Sequence, residues 1–84
     1  MQYKKDKRSY EIARKRGKVY GKLYKEQGLD GKSDVSGAYK EYTRSDEYKK
    51  DFPNPITSDD TAEAIRIGFQ SGYRSMFADR VAEA

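Results

Sequence analysis

The sequence predicts a small all-α domain of three helices, and three observations lead to that fold class. Apolar residues recur at helical spacing in two stretches, 9–27 and 58–81. A length of 84 residues suits one small domain with a modest core. The pattern Ala-x-x-x-Gly-x-x-x-Gly occurs once in each stretch, at Ala13, Gly17 and Gly21 and at Ala64, Gly68 and Gly72.

The two glycine patterns predict how the outer helices pack. Glycine inside a helix costs about 1 kcal/mol relative to alanine, so four such glycines require a structural reason. Small residues four apart lie nearly above one another and leave a strip of helix without side chains. We therefore predict that the first and last helices cross closely through these strips. Close approach by the backbone of a partner is the alternative explanation.

The first predicted helix covers residues 9–27. Ser9 is a suitable N-cap, and Gly28 supplies the left-handed residue that commonly ends a helix. The stripe of this helix that is expected to be buried contains Ala13, Gly17, Tyr20 and Tyr24, with Ile12, Val19 and Leu23 at its edges. Residues 1–8 are expected to form a flexible basic arm of the single domain 1–84.

The middle of the chain predicts a second helix over 34–43, capped by Ser33 or Asp34, and a short helical turn over 45–51 that starts at Ser45. The segment from Phe52 to Pro55 contains two prolines and is expected to be an extended connector.

The last predicted helix covers 58–81, with Thr57 or Ser58 as its cap and three acidic residues in its first turns. One apolar stripe of this helix contains Ile65, Phe69, Gly72 and Met76. A second stripe on the opposite side contains Ile67, Phe77 and Val81.

The composition argues against an enzyme. The chain has no cysteine and no histidine, which removes the usual nucleophile, general base and transition-metal ligands. Its acidic clusters are explained by helix capping, and no phosphate-binding glycine loop is present. We therefore expect no catalytic residues, no metal and no cofactor. The chain also has no long apolar run and no secretory leader, so we expect a cytoplasmic protein without a membrane partner.

Positive charge is concentrated at one end of the chain. Residues 1–28 carry a net charge of +7, whereas residues 29–84 carry −3. One arc of the first predicted helix carries most of this charge, on Arg14, Lys15, Lys18, Lys22 and Lys25. Arg16 lies inside the apolar arc instead, where its stem extends to the edge or its head group meets an acid or a ligand. A basic face of this kind can bind the phosphates of a nucleic acid.

Two patches of sequence resemble a known family. Gly72-Tyr73-Arg74, then Met76, then Ala78-Asp79-Arg80-Val81 is similar to the end of the bacterial ribosome modulation factors. Arg16-Gly17, with Gly21 four residues later, is similar to their first helix. The family consists of very small, basic, two-helix proteins that bind the small ribosomal subunit. This chain differs by its extra segment, about 30–55, and by Phe69 where the family has tryptophan.

The resemblance implies a non-enzymatic regulator of translation that binds ribosomal RNA or the ribosome. It also implies that Arg16, Tyr73, Arg74 and Arg80 contact RNA or the ribosome. Binding to DNA remains a further alternative for the same basic face.

Another alternative is a protein-binding adaptor or inhibitor of the phage or mobile-element type, with a host protein as its partner. Aromatic and apolar side chains are enriched at such interfaces. The predicted surface consists of Tyr39, Tyr42, Tyr48, Ile67, Phe77 and Val81. A homodimer through the same residues is a variant of this alternative.

Overall fold

The computed structural model describes residues 6–28 and 34–83, with side chains as far as residue 77, and this part of the chain is all-helical. The helices are α1, Lys7–Glu26; α2, Val35–Thr43; α3, Asp46–Asp51; and α4, Asp59–Glu83. The predicted fold class is therefore confirmed. The turn that we predicted over 45–51 is a short helix of its own, which makes four helices within the described residues.

The first helix begins earlier than predicted. Asp6 is its N-cap, and the Asp6 Oδ1 atom accepts a hydrogen bond from the backbone N–H of Ser9 at 3.1 Å. Ser9, our predicted cap, is instead a buried residue inside α1. The last two residues of the predicted arm are therefore helical, and its residues 1–5 lie outside the described part of the chain.

The other helix ends follow the local sequence. Gly28 has a φ of +79°, the left-handed conformation predicted for the residue after α1. The hydroxyl of Ser45 accepts a hydrogen bond from the N–H of Tyr48, and that of Ser58 accepts one from the N–H of Thr61. The segment between α3 and α4 is not helical, because each proline disfavours helix in the residue before it.

Helices α1 and α4 pack through their glycines, as predicted. A Cβ atom placed at Gly17 would lie 2.8 Å from the backbone nitrogen of Tyr73. A Cβ atom at Gly72 would contact the carbonyl oxygen of Arg14 and lie 3.0 Å from the nitrogen of Lys18. Only hydrogen fits at these positions, so the two backbones lie in direct contact.

The order of these contacts gives the relative direction of the two helices. Gly68 packs against the carbonyl of Tyr10, and Gly72, one turn later, packs against the carbonyl of Arg14. Gly21 follows further along α1 and meets Met76, further along α4. Both helices therefore run in the same direction, and α2 and α3 belong to the chain that returns from the end of α1 to the start of α4.

Aromatic rings fill one side of the α1–α4 pair. Tyr42 on α2 and Phe69 on α4 are both fully buried, and their rings stack with centroids 5.2 Å apart. Tyr20 of α1 packs edge-on against Tyr42, and Tyr73 lies beyond Phe69 on the next turn of α4. The large aromatic residues thus compensate for the small number of aliphatic residues in this chain.

Two residues differ from the predicted core. We expected Val19 and Leu23 at the edges of the buried stripe of α1, but 49% and 47% of their surfaces are exposed. Because α1 and α4 lie so close together, α4 contacts only a narrow strip of α1 around its glycines. Helix α2 covers only the adjacent side of α1, so Val19 and Leu23 stay exposed.

Candidate nucleic-acid interface

Three exposed lysines form a row on the outer surface of α1. Lys15, Lys18 and Lys22, hereafter the lysine strip, lie within about 60° of arc on the helix. They are on the side of α1 away from the buried residues Ala13 and Tyr20. Within the described residues, no hydrogen bond or ion pair joins these lysines to another group of the protein. Their ammonium groups are therefore exposed to solvent and have no acidic partner among the described residues.

The other two members of the predicted basic face lie at its edge. Arg14 is half-buried, and its backbone carbonyl packs on Gly72 of α4. Lys25 is also half-buried, and its Nζ atom donates a hydrogen bond to the carbonyl oxygen of Met76 at 3.2 Å. This bond ties the end of α1 to α4, so Lys25 has a structural role that the sequence did not reveal.

Arg16 meets an acid of the protein itself. Its Nε atom donates to Asp51 Oδ2 at 2.7 Å, and its Nη2 atom donates to Asp51 Oδ1 at 3.0 Å. The hydroxyl of Tyr42 donates to the same Oδ2 atom at 2.7 Å. The hydrogen bonds from Arg16 hold the pKa of the Asp51 carboxyl below its usual value, despite the opposing effect of burial.

This pairing decides between the interpretations of Arg16 that the sequence left open. A bidentate arginine–carboxylate pair has a well-defined geometry, and a phosphate has to break it to bind the same guanidinium. Arg16 therefore joins α1 to α3 and is not part of the lysine strip. Sequence reasoning missed Asp51, because periodicity within one helix contains no information on a partner 35 residues away.

The residues that the family resemblance implies as RNA contacts differ in their exposure. Tyr73 is fully buried, with its ring packed against Phe69 and Phe77, so it is a core residue and its ring has no open face for a base. Arg74, the next residue on α4, is exposed. Arg80 lies outside the described side chains.

The residues of the predicted protein-binding surface mostly pack inward. Tyr42 is fully buried, which corrects the expectation that a partner contacts it. Tyr39, Tyr48 and Phe77 are half-buried against the aromatic core, and Ile67 is half-buried as well. Val81 lies outside the described side chains. The sequence analysis treated these tyrosines as surface residues because helical periodicity does not reveal that α2 and α3 cover the α1–α4 pair.

Tyr24 of α1 makes its contacts within the protein. Its hydroxyl donates a hydrogen bond to Glu41 Oε1 at 2.7 Å, and its ring packs edge-on against Tyr73. Burial, together with this hydrogen bond, raises the pKa of Tyr24 to about 12. Tyr24 therefore connects α1 with α2 and α4, and it faces away from the lysine strip.

Across residues 6–28 and 34–77, no three acidic side chains are grouped in a way that could hold a metal ion. No helix in the described part of the chain has both the length and the apolar character needed to cross a membrane.

Comparison with known proteins adds no relative. No protein family, no curated protein and no solved structure matches this chain. The lysine strip and its surroundings are therefore the features that indicate a function.

Proposed function

We propose that this protein is a non-enzymatic RNA-binding regulator that acts on the ribosome through the basic face of α1. The observation that supports this proposal is the lysine strip, which is exposed and has no internal partner among the described residues. A row of lysines on a rigid helix can neutralise several phosphates at once, and the released counterions favour binding.

The shape of the helix pair supports the same proposal. The glycine contacts hold α1 firmly on α4, so the lysines project from a rigid surface and lose less entropy on binding. The carboxylate of Asp51 is already paired with Arg16, so it does not compete for the lysines. Arg74 adds a further exposed cation on α4.

The ribosome is proposed as the target because of the resemblance to ribosome modulation factors. Of the residues that the resemblance implies, Arg74 is the one that is exposed among the described side chains. We accordingly assign RNA contact to the lysine strip and Arg74, and we assign structural roles to Arg16 and Tyr73.

The test compares two charge-reversal variants that have the same net charge. Lys18→Glu/Lys22→Glu changes the lysine strip, and Lys49→Glu/Lys50→Glu changes two exposed lysines of α3. Binding to ribosomal RNA and to small ribosomal subunits is measured between about 50 and 300 mM salt. Each phosphate contact contributes about 0.7 to the slope of log affinity against log salt for a single strand.

We expect Lys18→Glu/Lys22→Glu to reduce both the affinity and this slope, and we expect Lys49→Glu/Lys50→Glu to retain most of both. Equal loss in the two variants, or wild-type binding that is independent of salt, contradicts the proposal. Stronger binding to DNA of the same length favours the DNA alternative. A host protein captured equally well after nuclease treatment favours the adaptor alternative.

A further inference from the structure

The outer surface of α1 has an apolar stripe beside the lysine strip. Ile12, Val19 and Leu23 are spaced seven and four residues apart, which places them on one side of the helix. Val19 and Leu23 are each about half exposed, and Ile12 is half-buried. Large aliphatic residues are scarce in this chain, yet these two project into solvent.

Two hollows extend this stripe into a groove. The first has a volume of about 310 Å³ and lies among Ile12, Lys15, Arg16, Val19 and Asp51. The second lies between the start of α1 and the connector before α4, with Phe52 and Ile56 among its lining residues. Ile12 and Asp51 line both hollows, so the two are adjacent.

The charges around the groove favour an acidic occupant. Arg16 and Asp51 line the first hollow as an ion pair, and Glu47 lies close enough to act electrostatically on Arg16. Lys15 and Lys22 lie beside the apolar stripe on α1, and Arg8 lines the second hollow. A second copy of this chain on the same stripe would bring two lysine strips close together, and the repulsion of like charges disfavours that arrangement.

We propose that this groove binds an acidic amphipathic helix of a protein partner, a function additional to RNA binding. Apolar side chains of the partner pack on Val19 and Leu23, and one enters the hollow between Ile12 and Val19. Carboxylates at the edge of the partner helix pair with Lys15 and Lys22. Recognition of an apolar helix face by a groove, with charges at its rim, is a common mode of peptide binding.

The probe is a synthetic glutamate-rich peptide of about 18 residues, with leucines three and four residues apart on one helical face. A second peptide has the same composition with its leucines permuted. Binding of the fluorescently labelled peptides is measured by anisotropy at about 0.15 M salt. The variant Val19→Gln/Leu23→Gln removes the apolar stripe, and Ser36→Gln/Ala62→Gln, at two exposed helical positions elsewhere, is its matched control.

We expect the amphipathic peptide to bind, and we expect Val19→Gln/Leu23→Gln to weaken that binding by about tenfold or more. The control variant should bind like the wild type, and circular dichroism should show the same helix content in all three proteins. Equal binding of the permuted peptide, or no effect of the stripe variant, overturns the proposal. A wild-type dimer that Val19→Gln/Leu23→Gln converts to a monomer in sedimentation also overturns it, because the occupant is then a second copy.

RNA binding provides an independent readout for the stripe variant. Because Val19→Gln/Leu23→Gln leaves every lysine in place, we expect it to retain the RNA affinity of the wild type. Lys15 and Lys22 are shared by the two surfaces, so only the apolar stripe is specific to the protein partner. Loss of both RNA and peptide binding in this variant contradicts that specific role of the stripe. The failure of RNA binding in all proteins, with peptide binding intact, contradicts only the proposed function.

Discussion

The guanidinium of Arg16 and the carboxylate of Asp51 form a two-bonded ion pair that fixes α3 against α1. The pair is partly buried, with 33% of the Arg16 side chain and 13% of the Asp51 side chain exposed. Because Tyr42 also donates to Asp51, one carboxylate connects three helices. Arg16, which the family resemblance implies as an RNA contact, is thereby paired within the protein.

Replacing Asp51 with asparagine should destabilise the fold. The variant removes the charge that Arg16 and Tyr42 share but retains the shape of the side chain. We expect a loss of about 1–2 kcal/mol in the free energy of unfolding, reduced by the partial exposure of the pair. Urea denaturation measures the loss. The control Asp46→Asn, on an exposed residue of the same helix, should change the stability by no more than about 0.5 kcal/mol.

The same pair should give the fold a dependence on acid pH. The pKa of Asp51 is lower in the folded protein than in the unfolded chain, because Arg16 stabilises its charged form. The contribution of the pair is therefore fully present above the unfolded pKa, about 3.9, and it is lost as the pH falls through the lower folded value. The difference in stability between the wild type and Asp51→Asn should shrink below about pH 4 in denaturation curves. A constant difference down to pH 2 would contradict this assignment.

Two glycine substitutions should have opposite effects on stability. Gly72→Ala places a Cβ atom against the carbonyl of Arg14, so the helices have to separate. We expect a loss of about 1–3 kcal/mol from this overpacking. Gly37 lies within α2 and has nothing within 4 Å of an added Cβ atom, so Gly37→Ala should stabilise the fold by about 0.5–1 kcal/mol.

Thermal denaturation of both glycine variants checks this prediction. If Gly72→Ala has the stability of the wild type, the close contact of the α1 and α4 backbones is not present in solution.

Tyr24 should titrate late at alkaline pH. Burial and the hydrogen bond to Glu41 raise its pKa to about 12, which favours the neutral phenol in the folded state. The resulting stability is fully present below the unfolded pKa of about 10 and is lost as the pH rises through about 12. Absorbance of the phenolate in wild type and Tyr24→Phe isolates this titration. A Tyr24 signal at the ordinary pH would contradict the contact with Glu41.

Neighbouring residues of α4 should differ in their effect on RNA binding. Arg74 is exposed and Tyr73 is fully buried. We expect Arg74→Glu to weaken RNA binding several-fold with little change in stability. Tyr73→Phe should leave RNA affinity unchanged, because the ring remains in the core. Filter binding and urea denaturation of both variants measure the two properties, and weaker RNA binding by a fully folded Tyr73→Phe would show that the hydroxyl contacts RNA.

Local and periodic features of the sequence predicted much of the fold. The spacing of Gly17, Gly21, Gly68 and Gly72 predicted the central contact, because glycine in a helix has a cost that only close packing explains. Ser45, Ser58 and Gly28 marked helix ends correctly, since capping depends on neighbouring residues. Asp6 was missed as a cap because it lies in a run of basic residues that resembles a flexible arm.

Long-range packing limited the prediction of the site. The exposure of the lysine strip followed from the helical wheel of α1 alone. The pairing of Arg16 with Asp51 and the exposure of Val19 and Leu23 depend on where α2 and α3 lie on the helix pair. Nothing in the periodicity of one helix determines which neighbouring side chain covers it.

The parallel direction of α1 and α4 has a consequence for how this protein folds. Two parallel helices cannot pair progressively from a tight turn between them. The contact between Tyr10 and Gly68 therefore closes a loop that includes the whole middle of the chain. Folding rates fall as the contacts of the native state become more distant in sequence. We therefore expect this domain to fold more slowly than an antiparallel helical hairpin of the same size. The slowest step should be the formation of the contact between α1 and α4.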